Sequence, residues 1–507
     1  TDELCAALRG TAKALRALGR LEEASQADQE TIRVWRNLAA KDPGAVEHLA
    51  GALNDWGVAL SQEHRANDAI PPGEEAVRLY RKLAETQCWI CFASLVLHII
   101  SSRFRDVARN DKALQAIQEA VDLRRGLAKT DPAMTPFLAS SLDLLAINLS
   151  ERPGRVEEAL QVYDESVQLR RQEVARNLST DNLKALRSAF LMYGKLLKRP
   201  GRYTEALRVA QEAVALFDGL VDANSSVMRE LAMALEQLAL ELAGAGRHDD
   251  AIYTAQRATQ LFRILAEKSE PHGNKELANA LDHLASELHR LDGREEEAIL
   301  AGKEAIALRR TLPPTDSVDS LILAQCLENL GVHLRIPRHY EESLSVAQES
   351  VDLFRKTIAA NPDFGSLRLR SPENLLTRWF AHALENLAYS LSAVGRAEDA
   401  VQAASESIDL YRTCAAHIFA GLTTVDAGIT ARSLRGLARD LRSVGWQEEA
   451  LRAQEEVVRL YGTVTPTRPA LIQLRVDALR QLGKDLRVFG REEEAVRVEG
   501  EISGLEG

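Results

Sequence analysis

Few residues in this sequence could carry chemistry, and Cys88 and Cys91 are the only pair at a metal-like or redox-like spacing. Structural zinc needs four ligands, and no second cysteine pair accompanies this one. A thioredoxin-like site needs a βαβ context, which a helical repeat excludes. We therefore interpret both cysteines as small apolar residues in a packed helix.

Acidic runs such as Glu295-Glu296-Glu297 could hold a metal ion, but they recur along the chain, which favours positions in the first turn of a helix. The eleven histidines form no His-Glu-x-x-His or Cys–His cluster. The sequence contains no phosphate-binding glycine loop and no G-x-S-x-G element. It therefore predicts a protein that is not an enzyme and that holds no metal or other cofactor.

A short turn organises the rest of the sequence. Its pattern is Gly-Arg, then a stretch with one or more acidic residues, then Ala, as in residues 293–298. Glycine can end one helix in a left-handed conformation, and the carboxylates complement the positive N-terminus of the next helix. The small Ala then marks a close contact between the two helices. Related copies of the turn begin at Gly19, Gly154, Gly201, Gly293, Gly395 and Gly490.

The last small residue of each turn marks one repeat. Successive markers lie 44 to 57 residues apart, and most intervals are 45 to 47. A near-constant period of this size is typical of a solenoid. We therefore predict a single continuous superhelix over residues 1–507 with about eleven repeats, and a protruding loop at 361–372 in the longest interval. The markers are Ala24, Ala69, Ala113, Ala159, Ala206, Ala251, Ala298, Ser343, Ala400, Ala450 and Ala495.

A stripe of anchor residues precedes each marker, and small residues follow it. Leu235, Leu238, Ala239 and Leu242 have the spacing of one face of an α-helix. Small residues recur four and seven positions after the marker, as at Ala210 and Ala213, and indicate a second, closely packed helix. Each repeat is therefore predicted to be a helical hairpin, and the fold class is all-α. In one repeat Pro71-Pro72 follows the turn, so we expect that second helix to start late.

Composition supports a helix-rich soluble chain. Hydrophobic residues make up 46%, aromatic residues 5% and charged residues 27%, with a formal net charge of −11. Five cysteines are too few for a disulfide scaffold, and no apolar run of 18 residues or signal peptide is evident. We expect a cytoplasmic protein without a membrane segment. Because the chain starts at Thr1 and enters a helix at once, we also expect it to be a piece of a longer polypeptide.

The combined pattern of turn and anchors resembles the tetratricopeptide repeat (TPR) over essentially the whole chain. The repeat here is longer than the usual length of roughly 34 residues. It is most similar to the long repeats of kinesin light chains and of arrays attached to signalling NTPases and peptidases. The resemblance implies an α-solenoid that winds as a right-handed superhelix. It also implies that the first helix of each hairpin lines a concave, ligand-binding surface.

The ligand-facing positions implied by this resemblance change sign along the chain. The residue after the first anchor is acidic in Glu328 and Glu385 but basic in Arg435 and Arg480. Guanidinium groups bind carboxylates and phosphates through bidentate hydrogen bonds. The alternative is a solvated face whose arginines pair with Asp440, Asp477 and Asp485. The predicted ligand-binding residues are Arg432, Arg435, Arg439, Arg442, Arg480, Lys484, Arg487, Glu328, Asn329, Glu385 and Asn386.

The two asparagines have an interpretation of their own. Asn329 and Asn386 could hold the backbone of an extended peptide, or they could hydrogen-bond a neighbouring helix. The leading hypothesis is a non-catalytic interaction scaffold that binds a peptide or protein segment in its groove, with an acidic terminus or a phosphate at the basic end. A second hypothesis is the sensor or substrate-recruiting array of a larger signalling NTPase or peptidase. A nucleic-acid-binding solenoid is disfavoured because aromatic residues do not recur at regular groove positions.

Overall fold

In the residues that the computed structural model describes, all regular secondary structure is helical. These residues are 2–63, 65–83, 90–106, 109–198, 201–220, 225–268, 273–312, 317–335, 338–360, 375–419, 431, 434–436, 438–439, 441–442, 445–464 and 472–506. Cys88, Arg432, Asp440 and the predicted loop at 361–372 lie outside them. Contacts divide the chain into two compact units, residues 1–241 and 242–507. A single continuous superhelix over the whole chain remains a prediction.

Unit 1 is a succession of antiparallel helices joined by short turns. Short 3₁₀ helices at Pro43–Ala45 and Pro132–Met134 precede α3 and α7. The helices are α1 (Asp2–Ala17), α2 (Leu21–Ala39), α3 (Val46–Gln62), α4 (Ala66–Leu83), α5 (Ile90–Asp106), α6 (Asn110–Thr130), α7 (Thr135–Ser150), α8 (Val156–Arg176), α9 (Thr180–Lys198), α10 (Tyr203–Asp218) and α11 (Ser225–Gly244), the last of which ends in unit 2.

Unit 2 continues the same alternation of first and second helices. Helical residues also occur at 434–436, 438, 439, 441 and 442, and we call them the 434–442 segment. The helices with complete bounds are α12 (His248–Glu267), α13 (Gly273–Leu288), α14 (Glu295–Thr311), α15 (Ser317–His333), α16 (Tyr340–Ala360), α17 (Leu375–Ala393), α18 (Ala397–Phe419), α19 (Gln447–Val464), α20 (Ile472–Val488) and α21 (Glu492–Glu506).

The recurrent turn closes each hairpin by backbone hydrogen bonds, as its glycine predicted. Gly395 has φ +82°, and its N–H donates to Ser392 O at 3.0 Å. The next residue, Arg396, donates to Leu391 O at 2.9 Å, and its own carbonyl accepts from Ala400 N at 3.1 Å. This pattern is a Schellman motif whose last residue already caps the following helix. The same positive φ occurs at Gly19, Gly154, Gly201, Gly246, Gly293, Gly445 and Gly490.

Two turns contain one residue more between the last anchor and the marker. Arg155 N–H donates to Arg152 O at 3.3 Å, and Arg294 N–H donates to Leu291 O at 3.3 Å, where the other turns have the longer-range bond. Each of these arginines precedes its helix at ψ 15° instead of the ψ of about 60° seen in the shorter turns. The extra residue is therefore absorbed within the turn.

Markers and anchors form the core between the helices, as the sequence predicted. The markers Ala24, Ala251 and Ala400 are fully buried. The anchors are buried as well, with Leu384 0% exposed and Leu391 3% exposed. Because an Ala side chain lets two backbones approach closely, the hairpins pack tightly at this point. The all-α solenoid of TPR-like hairpins is confirmed, whereas the number of repeats remains a prediction.

The expectation of a late start for the helix after Ala69 is wrong. Helix α4 begins at Ala66 and contains both Pro71 and Pro72. Proline supplies no N–H, so this helix lacks two of its usual internal hydrogen bonds. Arg103 of α5 is buried beside this turn, and its Nη1 donates to Ala69 O at 3.4 Å. Its guanidinium occupies space that a side chain at Gly57 or Gly73 would fill.

Successive second helices are joined on their exposed side by arginine–glutamate pairs. Arg310 of α14 and Glu349 of α16, for example, approach to 2.6 Å with half-exposed side chains. Because the paired residues lie 38 to 51 positions apart, each pair bridges neighbouring hairpins. The pairs are Arg36–Glu75, Arg81–Glu119, Arg125–Glu165, Arg171–Glu212, Arg263–Glu304, Arg310–Glu349 and Arg355–Glu406.

One helical stretch in the described residues, Pro132–Ser150, is long and apolar enough to cross a membrane by length and composition. Of this window, 61% is buried among other helices. Burial of that extent is typical of a core helix.

Candidate functional site

The first helices of unit 2 present one side away from the buried anchors. On α17, Trp379, His382, Asn386 and Tyr389 are spaced by three, four and three residues, which places them on one stripe. Trp379, His382 and Tyr389 are partly exposed, whereas Asn386 is 3% exposed. We call the corresponding side of α13, α15, α17, the 434–442 segment and α20 the first-helix face.

Asparagine amides on this face bind carboxylates of the preceding first helix. Asn329 Nδ2 donates to both carboxylate oxygens of Asp282, at 3.1 and 3.3 Å. Asn386 Nδ2 donates to Glu328 Oε1 at 2.8 Å. In both cases the acid follows the first anchor of its helix and the asparagine lies two residues after the anchor of the next helix. These amides therefore bond a neighbouring helix, and a peptide contact for them remains a prediction.

The carboxylates of this face are withdrawn from solvent. Glu328 is 5% exposed and Glu385 is 7% exposed. Burial raises the pKa of Glu328, and it raises the pKa of Asp282 in the same way, because a desolvated carboxylate favours its neutral form. Glu385 accepts a hydrogen bond from the Tyr411 hydroxyl at 3.3 Å. Asp282, Glu328 and Glu385 thus each accept a hydrogen bond from another residue of the chain.

His382 lies between the two buried glutamates. Its Nδ1 is 3.7 Å from Glu328 Oε1 and 3.9 Å from Glu385 Oε2, and 41% of its side chain is exposed. Its ring also meets that of Tyr411 edge-on, with centroids 6.4 Å apart. These contacts fix the imidazole while leaving part of it accessible.

Arg335 is a residue of this face that the sequence analysis did not single out. Its guanidinium lies 4.1 Å from the centroid of the Tyr389 ring and donates to Asn386 Oδ1. Cations over aromatic rings are attracted by the ring quadrupole. The sequence signal that could have identified Arg335 is its position, eight residues after the first anchor Leu327. The equivalent position is Ser392 in α17 and Arg487 in α20.

The 434–442 segment packs against α17 at Gly436. A Cβ built on Gly436 would lie 3.6 Å from Glu385 Oε1. Gly436 lies two residues after the anchor Leu434, where α15 and α17 carry asparagine. The series of amide–carboxylate links therefore stops here, and the basic residues begin.

Arg442, Arg480 and Arg487 are engaged within the chain by contacts that can be named. Arg442 Nε lies 3.0 and 3.1 Å from the two carboxylate oxygens of Asp485, which is 7% exposed, and Arg442 Nη2 donates to Gln454 at 3.1 Å. Arg480 Nη1 lies 3.5 Å from Asp477. Arg487 pairs with Glu492 at 3.3 Å and with Glu499. Asp477 and Asp485, two of the acids expected to pair if this is a solvated face, both take part in these contacts.

Arg439 takes part in an interaction as well, whereas Arg435 and Lys484 are more open. Lys484 and Arg439 are exposed and Arg435 is half-buried. Within the part of the chain that the structure describes, Arg435 and Lys484 form no hydrogen bond or ion pair. Arg435 and Arg439 lie one helical turn apart on the same side, so they add to a common positive potential. A ligand role for all seven predicted cations remains a prediction.

A second feature missed from the sequence is a column of aromatic residues and arginines eleven positions after ten of the eleven markers. Most are aromatic and buried, such as Phe262 and Phe354. Three are arginines whose guanidinium groups reach polar atoms of the first helices: Arg124 donates to Ser141 at 2.6 Å, Arg170 to Asp143 at 2.6 Å and Arg309 to Cys326 at 3.1 Å. The fixed offset from the marker was the signal that could have revealed this column.

Comparison with known proteins identifies a repeat family. The family model described as anaphase-promoting complex subunit 5 matches residues 36–146, 253–323 and 338–419, together just over half of the chain. No curated protein matches the chain.

Several solved structures are similar over part of the chain. BtubC (BKLC) from P. vanneervenii has a TM-score of 0.39 and 19% identity, and covers 50% of this chain and 91% of its own. A signal transduction ATPase with a tetratricopeptide repeat sensor from Pyrococcus horikoshii has a TM-score of 0.41 and 12% identity, with 69% and 50% covered. A Rap protein complexed with Competence and Sporulation Factor has a TM-score of 0.37 and 13% identity, with 82% and 98% covered.

The helical hairpins, their buried markers and the family match agree with one another. The TPR-like fold is typical of protein-interaction scaffolds, and the matched family contains such repeats. The chain is a tetratricopeptide-repeat protein and belongs to the family described as anaphase-promoting complex subunit 5.

Proposed function

We propose that this chain is a non-catalytic scaffold that binds a segment of a partner protein along the first-helix face of unit 2. A negatively charged part of that segment, such as an acidic terminus or a phosphate, contacts Arg435, Arg439 and Lys484. The observation that carries the proposal is the contrast in pairing between Arg435 and Lys484 and the arginines of the second helices. Arg435 and Lys484 make no hydrogen bond or ion pair to a described residue, whereas the recurrent arginines of the second helices are paired.

Open cations on one side of a helix favour an anionic partner. The electrostatic field of such cations steers the association of an anionic partner and is screened by salt. The charge of an arginine that is paired within the chain is largely compensated by its partner. Arg442 supports the site in another way, since its bond to Asp485 joins the 434–442 segment to α20. The site therefore combines two helices that are joined by an ion pair with positively charged side chains that are exposed to solvent.

Pre-organisation also supports binding on this face. The amide–carboxylate links and the Arg335–Tyr389 contact hold the side chains of α13, α15 and α17 in place before any ligand arrives. A pre-organised surface avoids part of the entropy cost of ordering side chains on binding. The family's name, a subunit of a complex, is in keeping with a role in assembly.

The test uses short fluorescent peptides of matched length that are acidic, neutral or basic. We expect the acidic peptides to bind most tightly and their affinity to fall as salt is added. The double variant Arg435→Glu/Lys484→Glu should weaken their binding about tenfold or more, a loss on the order of 1.4 kcal/mol. Fluorescence anisotropy at neutral pH measures the affinity.

The matched control places the same charge change on second helices of the same region. Arg452 of α19 and Arg497 of α21 are exposed, so Arg452→Glu/Arg497→Glu alters the net charge equally. This control should change the affinity for acidic peptides by less than about twofold, as expected for charges remote from the bound segment. Equal losses in the two double variants, or a preference for basic peptides, would contradict the proposed function.

A further inference from the structure

We infer that the partner segment carries a large apolar side chain beside its acidic residues, and that the stripe formed by Trp379, His382 and Tyr389 on α17 receives this side chain. The inference rests on the proposed function and assigns chemistry to the part of the face next to the basic residues. The segment is thus an acidic peptide with an aromatic or large aliphatic residue.

The spacing of the stripe gives an apolar platform of useful size. Trp379, His382 and Tyr389 span ten residues, or about 15 Å along the helix axis. Trp379 is partly exposed and packs on the core of unit 2, so one part of the indole is fixed and another is accessible. Aromatic rings provide large contact areas with little rotational freedom to lose, which is why they are enriched at binding surfaces.

The stripe is held in place before binding. Tyr389 lies under the Arg335 guanidinium at 4.1 Å, and His382 is restrained by the ring of Tyr411 and by the buried Glu328 and Glu385. Arg335 is itself anchored by its hydrogen bond to Asn386. The partly exposed rings are therefore a feature of the folded chain and require no ligand to form.

The platform and the open cations are neighbours. Gly436 lies against Glu385, which is three residues from His382 and four from Tyr389. Arg435 precedes Gly436, and Arg439 occupies the position in its helix that Tyr389 occupies in α17, five residues after the first anchor. A short peptide can therefore reach the rings with one residue and the cations with the next few.

The arrangement of the cations favours carboxylates over a single phosphate. Arg435 and Arg439 are one turn, about 6 Å, apart along the axis, and Lys484 lies on the next first helix. One phosphate needs donors that converge on a single group, whereas cations spread along two helices match successive carboxylates. The occupant is accordingly an acidic protein segment.

Single-stranded nucleic acid also combines negative charge with groups that stack on aromatic rings. The site fits it less well, because one face of Tyr389 is already covered by Arg335. The rings also adjoin the buried carboxylates of Glu328 and Glu385, and the formal net charge of the chain is −11. The test must therefore distinguish binding of an acidic peptide from binding of single-stranded nucleic acid.

The experiment compares two peptide libraries on the full chain. Both libraries carry acidic residues at the same positions, and the remaining positions are Phe, Trp and Leu in one library and Ala, Ser and Gly in the other. We expect the apolar library to be retained about tenfold better by immobilised protein. Trp379→Ala and His382→Ala should each remove most of this preference, so that the two libraries are retained about equally by these variants.

Controls separate binding from folding. Tyr253 of α12 is 72% exposed on a second helix, so Tyr253→Ala should leave the preference intact. Since Trp379 also contacts the core, Trp379→Leu provides a variant that keeps most of the packing, and thermal unfolding checks both Trp379 variants. The preference should fall in Trp379→Leu as well, by roughly threefold or more, because a smaller side chain offers less contact area.

The outcomes distinguish this inference from the proposed function. Equal retention of both libraries, with loss of both in Arg435→Glu/Lys484→Glu, would overturn the apolar platform and leave the scaffold standing. Failure of both libraries to bind would overturn both. Tighter binding of a single-stranded oligonucleotide than of the apolar library, lost in Trp379→Ala, would replace the acidic peptide with nucleic acid and overturn the inference.

Discussion

The exposed side of the second helices and the first-helix face of unit 2 use charged residues in opposite ways. On the second helices, arginine and glutamate recur at fixed positions and meet across neighbouring hairpins, as in Arg310–Glu349. On the first-helix face, Glu328 is buried and receives an amide hydrogen bond, and Arg435 is open in the described part of the chain. Charge is paired at the surface on one side, whereas on the other it is either buried, as at Glu328, or without a described partner, as at Arg435.

This difference shows that the sign of a residue's charge and its spacing along the sequence do not by themselves determine what the residue does. Exposed ion pairs contribute little, typically about 0–1 kcal/mol each, because water screens them and ordering the side chains costs entropy. A buried carboxylate that loses its hydrogen-bond donor is much more costly, since it keeps its desolvation penalty. Mutations on the two sides should therefore separate in size and in the property that they change.

The largest expected effect is on the first-helix face. Asn386→Ala removes one of two amide donors to the buried Glu328, the other being Gln325, and it removes the acceptor for Arg335. We expect it to destabilise unit 2 by about 2–4 kcal/mol, as when a buried hydrogen-bonded group loses its partner. Urea unfolding followed by hydrogen exchange in α15 and α17 measures the loss, and exchange that is unchanged in these helices would show that the link contributes little.

Acid should also act through a buried residue of unit 2. His333 is 3% exposed, and burial lowers its pKa to about 3, helped by the adjacent His289. The unfolded chain binds a proton near pH 6.5 and the folded chain does so only near pH 3, so stability falls as the pH drops through this window. His333 alone should cost on the order of 2 kcal/mol at pH 5 relative to neutral pH.

The comparison of variants isolates this contribution. His333→Phe keeps a ring beside His289 and should show a shallower loss of stability between pH 7 and pH 5. The exposed His339 provides the matched control, and His339→Phe should retain the pH dependence of the parent chain. Identical pH profiles for the parent and His333→Phe would argue against a buried neutral imidazole.

The smallest expected effect belongs to the second helices. Arg310→Ala breaks a half-exposed pair with Glu349 and should lower stability by about 0.2–1 kcal/mol, with a further decrease of the effect in high salt. Thermal unfolding at low and high ionic strength is the measurement. A loss comparable with that of Asn386→Ala would remove the distinction between the two sides.

The sequence predicted the hairpins well because their determinants are local. A glycine that can adopt positive φ and a small marker constrain the turn without reference to distant residues, and both appear in the structure at the predicted positions. The expectation at Pro71 was wrong because a rule for proline derived from one helix alone did not reveal that α4 already begins at Ala66 and continues through both prolines.

The candidate site was predicted less completely because side-chain pairing depends on distances between helices. The stripe of Arg435, Arg439 and Arg442 has the periodicity of one helix side, but periodicity does not reveal that Arg442 reaches Asp485 of α20, 43 residues away. Nor does it reveal that Asn329 and Asn386 face carboxylates on the preceding helix. Such pairs become visible only when the repeats are stacked.

The closed turn bears on how the chain can change its length. In most copies the residue after the glycine ends one helix and begins the next, so no residue is free to be duplicated or looped out there. Length variation must then fall mainly in the connection that leads from a second helix to the following first helix. For protein engineering, reporter domains or epitope tags should be inserted in those connections, and the Gly-Arg turns should be left intact.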